Sequence, residues 1–403
     1  MIELGSIDAD VSDSAYKTYT SEVEQLTRRP LAEIVTGVDK MIAKRMSPNP
    51  PATMSVAQLQ QALKEIGFFP GATIDGICGY RTQSAIRLFQ EYVRSVEKLD
   101  CTPDGQFGPK SQAHLQRWLD GKLRTVWAPT IEAWKSGTLA AGEFTDWLAL
   151  LETVKQHALA TPTRVQTMVN AFTGKSDTRK VAQWDFSASN NIHLVGIRRN
   201  EMQGKFDDIF VLLIKGLVFK FQGTTEPGAS ENPAGPPFLV PGQHDYHFGW
   251  HQSKYLALRP QSSGVLVVRA GNDKRVDDAD LAKGLEANAT INIHWGGRGM
   301  TRDVNSWSEG CQTINGTVYI NASDALVSCA AFTASTPNEA MTDVHKTRGA
   351  YNVLLDLVSA LGSDIPGGTV KYTLLTEADL ALAPALAQRL SDARTRVMQM
   401  PGA

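Results

Sequence analysis

The sequence predicts a multidomain α+β chain: a small three-helix module, a helical linker and a β-rich domain. Three observations carry that reading. Apolar residues recur at helical spacing from Val56 to Val154. Strand-like runs bounded by Gly and Pro take over from Val181. A stiff stretch, Ser47-Pro48-Asn49-Pro50-Pro51, separates the start of the chain from the module. Length agrees, because 403 residues exceed what one ordinary core organises.

Residues 1–50 read as an N-terminal helical segment, with helices over 13–26 and 31–45 broken near Arg29-Pro30. Residues 51–122 form the module. Val56, Leu59, Leu63 and Ile66 share one helical face, and Gly67 closes that helix. Two related stretches come next, Asp75-Gly76-Ile77-Cys78-Gly79-Tyr80-Arg81-Thr82 and Asp104-Gly105-Gln106-Phe107-Gly108-Pro109-Lys110-Ser111. In each, Asp-Gly makes a turn, the second Gly permits a positive φ, and Thr82 or Ser111 caps a new helix. Ala85-Ile86 and Phe89-Gln90 continue the first copy; Ala113-His114-Leu115 and Trp118 continue the second, which reads as an extension of the same module.

Over 123–180, Trp127, Ile131, Trp134, Trp147, Leu150, Leu151 and Val154 repeat at three and four, as expected of a packing helical linker. Residues 181–376 form the β-rich domain, with strands over 192–197, 209–221, 265–270, 290–294 and 318–320. A helix over 338–361 precedes a last strand over 370–375. Thr376 and Asp379 then cap a C-terminal helix within 377–403, running to about Met398.

Composition excludes several classes. Lys plus Arg is 40 against 42 acids, without the basic excess of a nucleic-acid binder. No run approaches the ~18 apolar residues that argue for a membrane span. The acidic, polar start from Met1 to Ser14 lacks the basic and apolar regions of a secretory signal, which implies synthesis in the cytosol. No two of the four cysteines form a CxxC pair, which argues against a zinc knuckle. Cys78 and Cys101 read equally as a disulfide or as two free thiols.

The chemistry concentrates late in the chain. Cys311 sits in Trp307-Ser308-Glu309-Gly310-Cys311-Gln312, and His294 lies 17 residues upstream at the end of Ile291-Asn292-Ile293-His294. A thiol needs a base or a cationic neighbour to react at neutral pH, and imidazole is the usual one. Ser308 and Gly310 are small enough for a tight turn that leaves an amide facing the attacked carbonyl. Arg269, a cation leaving an apolar strand, is a candidate for a substrate carboxylate, as are Arg302 and Arg298 in the loop between His294 and Cys311. His251, just before Tyr255, is a candidate cleft residue. His244, His247 and His251 raise a zinc reading, but on a strand 247 and 251 share a face while 244 points away. Histidines of a β-hairpin explain the same residues, and neither a metal nor a cofactor is expected.

Two resemblances unite these features. The Asp-Gly-x-x-Gly-x-x-Thr pattern with Ala and Phe-Gln, over about 54–120, resembles the peptidoglycan-binding-1 module. The order His-x-Gly, then Ser-x-Gly-Cys, resembles the YkuD-type L,D-transpeptidase family. That resemblance implies a cysteine nucleophile on a β-rich scaffold, attacking peptidoglycan stem peptides at an L-to-D centre bond. By position it makes Cys311 the nucleophile, His294 the base, and the Cys311 amide, with room from Gly310, the oxyanion donor. Arg269, His251, Trp295, Ser308 and Arg302 are then the candidate substrate contacts. The chain departs from the family at Glu309, where histidine is frequent, at Trp295, where the residue is small, and at Thr313, where arginine or asparagine is frequent. Stem peptides and glycan are the expected partners. Expected settings are a phage lysis protein or an injected toxin acting in the periplasm or wall, with delivery machinery or an immunity protein as further partners. The competing class is a non-catalytic wall-binding protein with a degenerate site, and a zinc-dependent peptidase is a third.

Overall fold

The computed structural model describes residues 1–27, 44–45, 54–70, 73–187, 192–199, 204–228, 233–252, 254–271, 275–298, 303–304, 307–343, 345–364 and 369–400. The chain opens with β1 (Ser6–Ile7) and α1 (Asp13–Thr27), and β2 (Lys44–Arg45) pairs in parallel with β1. A helix expected over 31–45 therefore does not reach its last two residues; positions 31–43 lie outside the described residues.

Three helices follow over the region read as the module: α2 (Val56–Glu65), α3 (Tyr80–Ser95) and α4 (Pro109–Asp120). Its two related loops are built by the same device. Gln60 on α2 donates Nε2 to Asp75 Oδ1, the Ile77 carbonyl and Thr82 Oγ1, and accepts the Gly76 N–H. Gln90 on α3 donates Nε2 to Asp104 Oδ1, the Gln106 carbonyl and Ser111 Oγ, and accepts the Gly105 N–H. The positive φ falls on the first glycine of each loop, Gly76 at +71° and Gly105 at +79°, not on the second as expected. Gly79 and Gly108, with φ of −74° and −98°, are themselves the N-caps of α3 and α4, so Thr82 and Ser111 sit inside the first turn rather than capping it. Thus α3 closes the first loop with its start and reads the second with its end. The N-terminus belongs to this unit: Asp8 accepts the Val56 and Ala57 N–H groups, so a distant carboxylate satisfies the first turn of α2.

Residues 123–180 contain α5 (Ala128–Lys135), α6 (Glu143–Ala160) and α7 (Arg164–Ala171). Next come β3 (Ile192–Arg198), β4 (Asp208–Ile214), β5 (Leu217–Thr224), β6 (Pro237–Leu239), β7 (Gly242–His251), β8 (Tyr255–Pro260) and β9 (Val265–Arg269). After α8 (Asp278–Ala282) lie β10 (Glu286–Asn288), β11 (Ile293–Trp295), β12 (Gln312–Ile320) and β13 (Leu326–Ser328). Then α9 (Glu339–Thr342), α10 (Ala350–Asp356) with a π-turn (Leu357–Leu361), β14 (Val370–Thr376) and α11 (Pro384–Met398) complete the chain. The strand order is β11-β8-β7-β14-β3-β4-β5-β12-β13, and β11 also pairs with β12, so eight strands close into a barrel. A separate sheet runs β10-β9-β6.

Period-two alternation assigns the two faces of the barrel strands. Leu194, Phe210, Leu212, Tyr246, Leu258, Ile293, Ile314 and Tyr372 share one cluster, which α10 and the module extend. Tyr372 crosses from β14 to donate its hydroxyl to Gln312 Oε1 on β12 at 2.9 Å. It passes over Gly196, where a Cβ would strike the phenol. Val195, Ile197, Ile209, Val211 and Leu213 face the other way, against Trp147, Leu150 and Val154 of α6 and Leu386 and Leu390 of α11.

Some expected elements differ. The run 209–221 is a hairpin, turning at Lys215 and Gly216 with φ of +50° and +83°, as a type I′ turn requires. The helix expected over 338–361 is interrupted before α10, where Gly349 takes φ +55° and packs against the Gly316 carbonyl. Thr376 donates to Asp379 as expected, but caps a 3₁₀ turn (Glu377–Leu382), and α11 starts afresh at Pro384. Cys78 and Cys101 are buried free thiols.

Module and barrel share a buried seam. Arg87 on α3 binds Asp356 on α10 with two hydrogen bonds of 2.9 and 2.6 Å. Tyr319 on β12 donates to Glu91 at 2.6 Å, and Trp127 stands edge-on between Tyr92 and Phe219. Burial pushes the Asp356 carboxyl up and Arg87 pulls it down. Replacing Arg87 by Met should therefore cost about 3–5 kcal/mol, because an uncompensated carboxylate stays buried. Adding Asp356→Leu should recover most of that loss. Denaturant unfolding of both variants checks this, and equal stabilities would show that the pair does not hold the seam.

Candidate active site

Cys311 immediately precedes β12, and Asn292 immediately precedes β11. The registers Ile293–Gln312 and Ile293–Leu258 put Cys311, Asn292 and Arg259 side by side on β12, β11 and β8. One step along, Thr313, His294 and Ala257 form the next row. Alternation places both rows on one face, opposite Ile293 and Trp295.

The half-buried Cys311 thiol donates to the Thr290 carbonyl at 3.2 Å, and its sulfur accepts the Asn292 backbone N–H at 3.3 Å. The Asn292 side chain donates Nδ2 to His251 Nδ1 at 3.1 Å. The His251 ring stacks on His294, with centroids 4.1 Å apart and planes 20° from parallel. His294 donates Nδ1 to the Trp295 carbonyl at 2.8 Å, and Tyr255 Oη lies 3.3 Å from the same nitrogen. That bond fixes the tautomer and leaves the His294 lone pair on Nε2. Asn292 thus stands between thiol and imidazoles: its main chain holds the sulfur and its side chain holds His251.

The electrostatics set a neutral resting state. Burial pushes the Cys311 thiol up to about 11; the Asn292 N–H and Arg259 act downward and Glu309 upward. Burial draws His294 down to about 4, against its bond to the Trp295 carbonyl. Burial, then His294, Arg259 and Lys254, bring His251 down to about 3. A neutral thiol beside neutral imidazoles is the opposite of a preformed thiolate–imidazolium pair.

Other candidates have different surroundings. Ser308 accepts the Gly310 N–H at 3.0 Å and donates to the Cys311 carbonyl at 2.7 Å, bracing the turn before the thiol. Gly310 is held against Pro237, where a Cβ would lie 2.5 Å from the proline Cγ. Trp295 is fully buried on the face away from Cys311, edge-on to Trp307. Arg269 forks onto Glu286 and the Gly235 carbonyl in the β10-β9-β6 sheet, which engages its charge. Arg298 reaches Ser335 and the Ala330 carbonyl, and Arg302 lies outside the described residues. His244 engages both ring nitrogens, on Thr178 and the Val240 carbonyl. Among the described residues no cluster of three His, Cys, Asp or Glu is placed to hold a metal ion.

Asn292 and Arg259 join the site although sequence reasoning does not single them out. Asn292 carries a signal, being the polar residue of an alternating strand that shares its face with the candidate His294, whereas Arg259 carries none in the sequence. The pairing of β8 with β11 is the fact that unites them.

Residues 54–94 match the PG_binding_1 family of peptidoglycan binding domains, a stretch spanning α2, the first Asp-Gly loop and nearly all of α3. This module associates the chain with peptidoglycan. No curated protein and no solved structure matches the chain.

The pKa directions give a signed expectation. Alkylation of Cys311 by iodoacetamide should be slow at pH 7 and rise about tenfold per pH unit to pH 10, since only the thiolate reacts. A plateau below pH 8 would mean a thiolate–imidazolium pair. The histidines work in the other direction on stability. Their folded pKa values lie below the ordinary 6.5, so their contribution is present above that value and is lost as pH falls through about 4. His294→Gln should flatten the decline in melting temperature between pH 6.5 and 4.

Proposed function

We propose that the chain is a cysteine-dependent acyl-transfer enzyme acting on peptidoglycan stem peptides, with Cys311 as nucleophile. The observation that carries the reading is the array Cys311–Asn292–His251–His294 on a barrel locked to a peptidoglycan-binding module. Neutral partners make proton transfer part of the attack. An imidazole lone pair takes the thiol proton as Sγ bonds to the substrate carbonyl, whose electron pair moves to oxygen. On collapse the same proton passes to the departing amine, and a thioester remains on Cys311. An incoming amine then gives a cross-link or exchanged residue, and water gives a carboxy- or endopeptidase product. Such an enzyme would act in the wall or periplasm, as a resident enzyme, a phage lysis protein or an injected toxin with its immunity protein.

A second reading is a wall-binding protein without activity. It is favoured by one observation: the Cys311 thiol donates to a main-chain carbonyl and makes no hydrogen bond to His251 or His294.

Mass spectrometry of muropeptides incubated with the protein and with Cys311→Ala separates these readings. The enzyme reading expects Cys311-dependent loss of a terminal D-residue, broken cross-links, dimers or D-amino-acid exchange, with the substitution reducing product at least about 10³-fold. Unchanged muropeptides, under conditions where the protein binds wall material, would leave the binding reading.

A further inference from the structure

We propose that Asn292 is a substrate-binding residue: its side-chain Oδ1 accepts the backbone N–H of the residue whose carbonyl Cys311 attacks. This rests on the acyl-transfer reading above and names the chemical group that the site recognises.

Three observations place the residue. Its main chain is pinned, with the N–H on Cys311 Sγ at 3.3 Å and the carbonyl accepting the Gln312 N–H at 2.9 Å. Its amide plane is set, because Nδ2 is committed to His251 Nδ1 at 3.1 Å. Its Oδ1 is nevertheless without a hydrogen-bond partner among the described residues, although Asn292 is only 6% exposed. Buried amide oxygens are normally satisfied, so an orphan one beside a nucleophile marks a place for a missing partner.

The chemistry of that partner is dictated by the atom. An amide oxygen accepts and cannot donate, so a carboxylate or carbonyl of the ligand would meet lone pair with lone pair. A peptide N–H is a complementary donor, and each residue of an acyl-donor peptide carries one next to its carbonyl. Since Asn292 also holds the sulfur through its own main chain, an N–H on its side chain would bring the adjacent carbonyl towards the thiol. Asn292 is a positioning and recognition residue here; proton transfer stays with the imidazoles.

The test is a binding cycle that needs no turnover. Titration calorimetry on Cys311→Ala protein measures a stem-peptide acyl donor and its depsipeptide analogue, in which an ester oxygen replaces that one N–H. The same pair is measured on Cys311→Ala/Asn292→Ala. Asn292 should favour the amide over the ester by about tenfold, the scale of one hydrogen bond. The preference should fall to near unity without the side chain. An equal amide-to-ester ratio in both proteins, or no binding of either peptide, would overturn the proposal and leave Oδ1 to a structural water. Asn292→Asp keeps an acceptor oxygen and should retain the preference. In Asn292→Ala protein with Cys311 intact, the iodoacetamide rate should stay within about threefold of the parent, since the backbone N–H holds the sulfur. A larger change would point to a collapsed site and count against the assignment. Binding preference and Cys311-dependent product are separate readouts. Preference without product would sink the acyl-transfer reading alone, and product without preference would sink this inference alone.

Discussion

Everything at the site hangs on a strand of three residues. β11 joins β8 to β12, and its pairing closes the barrel. The same pairing brings Arg259, Asn292 and Cys311 into one row from three distant parts of the chain. A one-residue slip would turn Asn292 and His294 to the opposite face and put Ile293 beside the thiol. Register is held by more than β11 itself. Tyr246 donates to the Ile291 carbonyl and Tyr351 to the Ile293 carbonyl, so side chains from β7 and α10 fix the short strand from both sides. α10 is in turn fixed to the module through Asp356 and Arg87. Peptidoglycan-binding module, α10 and site are thereby one continuous set of contacts.

The electrostatic state is a consequence of that packing. Burial keeps the thiol protonated and both imidazoles neutral at neutral pH, and Arg259 is the charge that acts downward on both Cys311 and His251. A resting pair of this kind reacts slowly with adventitious electrophiles. In the acyl-transfer reading proposed above, a bound substrate would complete the polar environment before the proton moves. The unsatisfied Asn292 oxygen, the His294 lone pair and the thiol are the three groups a bound peptide would engage together.

Local patterns were legible where local physics decides. The apolar stripe of α2, the two Asp-Gly turns and the Thr376–Asp379 pair all arise from neighbours within one turn or loop, whereas Thr82 and Ser111 bond Gln60 and Gln90 instead of capping their helices. Cys311 and His294 stood out because their chemistry is rare. What was hidden depends on distant partners. Gln60 and Gln90 look like ordinary helix residues until each loop folds back upon one. The polar strand β7 carries Gln243, His244, Asp245, His247 and His251 with little hydrophobic alternation, so its period is weak. Arg269 looks like an isolated cation because Glu286, its partner, is 17 residues away on another strand. Lys215–Gly216 is unreadable as a hairpin turn because it is not Asn-Gly and lies inside an apolar run.

The central claim is that Cys311 carries a covalent acyl group between two steps. Intact-protein mass spectrometry after acid quench tests it most directly, with a stem-peptide donor supplied and no amine acceptor. The account predicts a mass increase equal to the donor minus its departing residue, located on the peptide containing Cys311 and absent from the His294→Ala protein. An unmodified Cys311 at saturating donor, with the protein still holding wall material, would contradict it.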